Sequence, residues 1–220
     1  MENIHSIVIT VSRQKASGGT YIAYSIARRL EFKYVDTEIL YKAAQFLGAD
    51  ARDMEAREER VSGFIENIAR TCMFGNPEAP YVPPSKKLVY DTDLFEAEAR
   101  IMREIAANCN AVIVGRAGFH VLRGHPGLIK VFIHAPLAFR MRRVMKTDKF
   151  INTDKAYSAI KESDRMKAKF IRQVAGVEWT DARNYHLCIN TSATGFDAAI
   201  DMIIKLVERI RYSLELKEGG

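Results

Sequence analysis

A polar, glycine-bearing turn, Ser12-Arg13-Gln14-Lys15-Ala16-Ser17-Gly18-Gly19-Thr20, stands between two apolar patterns of different period. Ile7 to Val11 has the unbroken, β-branched character of a buried strand. Ile22, Ala23, Ile26, Ala27 and Leu30 then recur at helical spacing. The chain must therefore pass from strand to helix within a few residues, which restricts it to folds built from strand–turn–helix units. Gly18 and Gly19 remove the side chains that would keep a ligand from the backbone, so bare amides and the positive end of the helix dipole face the same point. That point suits an anion.

The phosphate-loop pattern GxxxxGK[ST] places a lysine on the outer phosphates and a hydroxyl on magnesium. Laid on it, this chain keeps the second glycine as Gly18 and the hydroxyl as Thr20, but has Arg13 for the first glycine and Gly19 for the lysine. The residues alone thus allow two readings: a phosphate site, or glycines that only let strand and helix pack closely. On the first, Arg13, Lys15, Ser17, Gly18, Gly19 and Thr20 hold nucleotide phosphates, and the Thr20 hydroxyl holds Mg2+.

Further strand–helix alternation follows. Phe32 to Val35 reads as a second strand ending at Asp36, which is either a helix cap or a ligand at the crevice mouth. Asp93 to Asn108 reads as a helix with Leu94, Ala97, Ile101 and Ile105 inward. Ala111 to Val114 is a third strand delivering Gly115-Arg116, an arginine suited to bidentate phosphate contact. Lys130 to His134 and Tyr185 to Ile189 complete five strands, each followed by a helical pattern. A three-layer α/β domain with a parallel sheet is expected. His120, His125, His134 and His186 read as packed or surface histidines, since no nucleophile or second ligand lies at a useful spacing.

The segments "IVITVSRQKASGGTYIAYSIARRLEFKYVDTEILYKAA", "NAVIVGRAGFHVLRG", "KVFIHAPLAFRMRRV" and "WTDARNYHLCINTSATGFDAAIDMI" resemble, in order, those of the cytidylate kinase-like proteins, whose loop reads approximately SRxxGSGG. The resemblance spans most of the chain except about residues 45 to 92. It implies a three-layer P-loop kinase fold, with a five-stranded parallel sheet flanked by helices, a helical acceptor-binding insert over about 37–93 and a basic lid over about 143–175. It implies ATP and Mg2+ as cofactors and phosphoryl transfer to a nucleoside monophosphate, most like (d)CMP. Asp36 and Arg116 would hold the acceptor, and Arg143, Arg165 and Lys169 the migrating phosphoryl group. An Asp follows the Gly-Arg in those kinases, whereas Ala117 follows here.

At 220 residues the chain can bury roughly 70% of its unfolded surface, enough for one domain with an insert. The net charge of +6 is concentrated: residues 140–172 hold 11 Lys and Arg against 4 Asp and Glu, leaving the remainder near neutral. Lys161, Arg165, Lys169 and Arg172 fall in one stripe if residues 154–175 form a helix. Like charges four apart are unfavourable unless an anion lies against them, so the stripe reads either as a solvated face or as a lid over phosphates. A focused excess of this kind argues for an anion site more than for a nucleic-acid surface, with RNA binding through the basic helix the weaker alternative. With no long apolar run, no secretory pattern and three scattered cysteines, a soluble, cytoplasmic protein without a membrane partner is expected. The sequence leaves open a nucleotide-binding protein without turnover, acting as sensor or partner module. It also leaves open a kinase of a non-nucleotide small-molecule alcohol.

Overall fold

The computed structural model describes residues 6–40, 92–147 and 152–218. The expected insert lies almost wholly outside these residues. In chain order the elements are β1 (Val8–Arg13), α1 (Gly19–Leu30), β2 (Lys33–Val35), α2 (Thr92–Asn108), β3 (Ala111–Val114) and the short α3 (Gly118–Val121). They continue with β4 (Leu128–His134), α4 (Leu137–Thr147), α5 (Thr153–Ala175), a 3-10 turn (Ala182–Asn184), β5 (Leu187–Asn190), the short α6 (Thr191–Thr194) and α7 (Phe196–Glu218).

The five strands form one sheet in the order β2-β3-β1-β4-β5, and every pairing is parallel. Alternation along β1 divides the core between two faces. Ile9 and Val11 join Val112, Val114, Ile129, Val131 and Ile133 under α1 and α7, while Val8 joins Ile113 and Leu128 under α2. This is the three-layer P-loop kinase arrangement expected from the sequence. A central parallel sheet covered on both faces explains why its strands read as continuous apolar runs.

The first strand is longer than its apolar run. Ser12 and Arg13 pair in register with Phe132 and Ile133, so Arg13 is the last strand residue and the loop proper begins at Gln14. Because all strands run the same way, their carboxyl ends share one rim, where an open α/β sheet forms its ligand crevice. No helix among the described residues is long and apolar enough to cross a membrane.

Candidate functional site

The loop between β1 and α1 is anchored from within. The Gln14 N–H donates to Ile133 O at 3.0 Å, and the Gln14 Oε1 accepts from the Ala135 N–H at 3.3 Å. The Ser17 hydroxyl donates to Gln14 O at 2.9 Å and lies 3.2 Å from Ile133 O. Thr191, the residue just after β5, donates its hydroxyl to Ser17 O at 2.7 Å. Ser17 is fully buried, so its side chain shapes the loop from inside. Ala16 takes φ 62°, a left-handed conformation that costs a residue with a Cβ about 1–2 kcal/mol. In the resembling SRxxGSGG loop this position is glycine.

At the start of α1, Gly18 sits at φ 86° as the N-cap. No side chain caps this end, and no acidic residue lies in the first turn. Both glycines are demanded by packing. A Cβ on Gly18 would lie 2.5 Å from the Phe196 ring, and one on Gly19 would lie 2.5 Å from Arg13 Cβ. The second contact explains a departure from the usual pattern. With a side chain on Arg13 there is no room for one at position 19, so the arginine and the missing lysine are two halves of one exchange. The Arg13 side chain continues across the crevice until its Nη1 lies against Gly115, where Thr37 Oγ1 also approaches.

A cationic cluster closes over the loop. Asp164 on α5 accepts the Lys15 backbone N–H on Oδ1 at 2.9 Å. Its Oδ2 accepts from Arg140 Nη1 at 2.5 Å. Arg140, itself buried, also donates to Ala135 O at 3.0 Å and Lys15 O at 3.3 Å. The Lys167 ammonium lies 3.8 Å from Asp164 Oδ1 and 5.8 Å from the Trp179 ring centre. Burial, followed by Arg13, Lys15 and Arg140 and opposed by Asp164, draws the Lys167 pKa down to about 7.

The other expected lid residues are placed differently. The Arg143 guanidinium stands 4.6 Å over the Phe196 ring, the same ring that packs on Gly18. Arg165 is exposed and bonds Glu162 through both Nε and Nη2 at 2.9 Å. Lys161, Lys169 and Arg172 are exposed as well. The stripe defined by charge is thus the outer face of α5, and the cation that faces the loop is Lys167.

At the β3 end, Asp36 Oδ1 accepts the Glu38 and Ile39 N–H groups at 3.0 Å, so this carboxylate caps a helical turn. Arg116 follows Gly115 in a run of three residues with positive φ, Gly115, Arg116 and Ala117. Its Nε donates to Glu98 Oε2 at 2.6 Å, and its Nη2 contacts the same oxygen. The guanidinium stacks 4.5 Å from the Phe170 ring centre. Glu98 is fully buried, and its Oε1 has no hydrogen-bond partner among the described residues. Burial pushes the Glu98 pKa up, and Arg116 pulls it back. Thr20 is half-buried at the second position of α1. Its hydroxyl and the loop amides are suited to Mg2+ and nucleotide phosphates respectively.

The sequence model of the cytidylate kinase-like family matches residues 8–193. The chain belongs to the cytidylate kinase-like family. Among curated relatives, the cytidylate kinase of Thermococcus kodakarensis is 25% identical over 205 residues, covering 93% of this chain and 89% of that one. The cytidylate kinase of Methanopyrus kandleri is 27% identical over 215 residues, covering 91% and 96%. A solved structure of an uncharacterized protein from Eubacterium ventriosum superposes with a TM-score of 0.69 at 22% identity, covering 92% of this chain and 99% of that one. That last likeness shows the fold alone. Fold and family together are those of P-loop, nucleoside monophosphate kinase-like phosphotransferases.

Sequence reasoning missed Asp164, Lys167, Arg140, Glu98 and Thr191. A signal for two of them was present: Ile160, Asp164, Lys167 and Ile171 follow i, i+4, i+7, i+11, so an acid and a base stand on the buried stripe of α5. Glu98 likewise follows Leu94 by four and precedes Ile101 by three. A carboxylate on an apolar face requires a cationic partner.

Proposed function

We propose that this protein transfers a phosphoryl group from ATP to a nucleoside monophosphate, with CMP or dCMP as the acceptor. The supporting observation is that a helix start without a side-chain cap, at Gly18 to Thr20, follows a loop whose Lys15 main chain is held by Arg140 and Asp164, with the Lys167 ammonium beside that carboxylate. Phosphoryl transfer is catalysed chiefly by positioning and charge neutralisation, and these are what the crevice offers. The donor phosphates would lie on the loop, with Mg2+ at Thr20 supplying further neutralisation. Arg143 would face the donor nucleotide beside Phe196. Arg116, with Asp36 nearby at the crevice mouth, would receive the acceptor. α5 would act as the lid, already held against the loop through Asp164, so that Arg165 and Lys169, expected at the migrating group, would stay on its solvent face.

A panel of labelled ATP against CMP, dCMP, UMP, AMP and small alcohols tests this reading. Transfer to CMP and dCMP above the others is expected, and Arg116→Lys, which keeps Glu98 neutralised, should weaken acceptor use. Labelled product with an alcohol alone would move the acceptor class. Nucleotide binding without transfer to any acceptor would make the protein a sensor or partner module.

A further inference from the structure

The loop has no lysine at position 19, and the Arg13 side chain blocks one from being placed there. A transferring phosphoryl group nevertheless needs a cation close to its outer oxygens. The Arg13 stem covers Gly19 and its guanidinium reaches Gly115, so its end group is committed there although its charge is still felt at Lys167. Lys167 is fixed at the loop by a traceable chain of contacts. Its ammonium lies 3.8 Å from Asp164 Oδ1, and that same oxygen lies 2.9 Å from the Lys15 backbone nitrogen inside the loop. Arg140 clamps the other oxygen of Asp164 and the Lys15 carbonyl, so α5 cannot shift against the loop without breaking a buried ion pair. Ala156 and Ile160 on the α4 side, and Ile171 with Trp179 on the other, hold the helix along its length.

We propose that Lys167, held over the loop by Asp164, supplies from the lid helix the ammonium that other phosphate loops carry at the position of Gly19. This rests on the reading of the loop as a nucleotide-phosphate site. It has a consequence for protons. The groups facing Lys167 are Arg13 from β1, Lys15 from the loop, Arg140 from α4 and Asp164 from its own helix, three cations against one carboxylate among the described residues. In the empty site Lys167 loses its proton near pH 7. A polyphosphate beside it favours the charged form, so the pKa rises on binding. Above pH 7, binding must then take up a proton, and affinity falls as pH climbs toward the bound-state pKa. His134, at the end of β4, titrates below its ordinary value because of burial and then Arg140, and so stays outside that window.

The test is calorimetric titration of MgATP at pH 7 to 9, in buffers of different ionisation heat, into wild type, Lys167→Met, Lys167→Arg and the exposed same-helix control Lys155→Met. Wild type and Lys155→Met should take up part of a proton above pH 7. Lys167→Met should bind roughly 10- to 100-fold more weakly at pH 7, the size of a lost charge-assisted hydrogen bond, and should show no uptake. Lys167→Arg should keep most of the affinity and lose the uptake, and it carries the test should the methionine variant not fold. Wild-type affinity and uptake in Lys167→Met, or uptake persisting in Lys167→Arg, would overturn the proposal while leaving the phosphate site standing. Wild type that binds no MgATP would overturn both.

Discussion

At the β3 end of the crevice one guanidinium, Arg116, meets one fully buried carboxylate, Glu98. At the β1 end, the Arg140 and Lys167 cations and the Lys15 backbone N–H meet at the single carboxylate of Asp164, and the charges of Lys15 and Arg13 are felt at Lys167. The first corner is charge-matched but leaves Glu98 Oε1 without a donor among the described residues. The second is satisfied in its hydrogen bonds to Asp164 but carries surplus positive charge. A corner short of negative charge invites phosphate, whereas one whose charges already cancel holds its guanidinium in place over a buried carboxylate. On the reading proposed above, the two ends would serve different parts of a bound pair, acceptor and donor.

The largest effect expected from breaking this contrast is at the matched corner. Arg116→Ala strands Glu98 in the core, and urea unfolding should show a loss of about 3–5 kcal/mol that added phosphate does not restore. Asp164→Ala at the other corner should cost somewhat less, about 2–3 kcal/mol, because water still reaches part of that pair. Here added phosphate should recover part of the loss, since an anion can replace the carboxylate among the cations. Gly19→Lys should come next, losing about 1–3 kcal/mol by overpacking against Arg13. The double change Arg13→Gly with Gly19→Lys should recover most of that loss in the same unfolding measurement. The smallest effect is Ala16→Gly, which relieves the left-handed strain and should raise stability by about 0.5–1 kcal/mol, read as an upward shift of the melting temperature.

The loop and the sheet were legible in the sequence because glycine pairs and apolar runs report local geometry directly. Gly18 and Gly19 fall where the strand turns into the helix, and the five strands run in parallel as their continuous apolar character suggested. Charge was a poorer guide. Lys161, Arg165, Lys169 and Arg172 form one stripe by spacing and sign, which left a solvated face and a lid equally readable; the phase of α5 is set by Ala156, Ile160 and Ile171, which turn those four cations to solvent. The residues that meet the loop are the polar ones on the apolar stripe, Asp164 and Lys167. Long-range pairings were beyond sequence reading altogether: nothing local in Arg116 announces Glu98, and nothing local in Arg13 announces that its stem excludes a side chain at Gly19. Asp36 shows the converse, a residue whose local capping role was readable and is present.

The most direct test of the account is a 15N–1H spectrum of the protein titrated with MgATP. The amides of Gly18, Gly19 and Thr20 should shift together and saturably, with those of Lys167 and its neighbours on α5 following at the same nucleotide concentration. Saturable binding that leaves the Gly18, Gly19 and Thr20 amides unmoved, or no binding at all, would contradict a phosphate site at the start of α1.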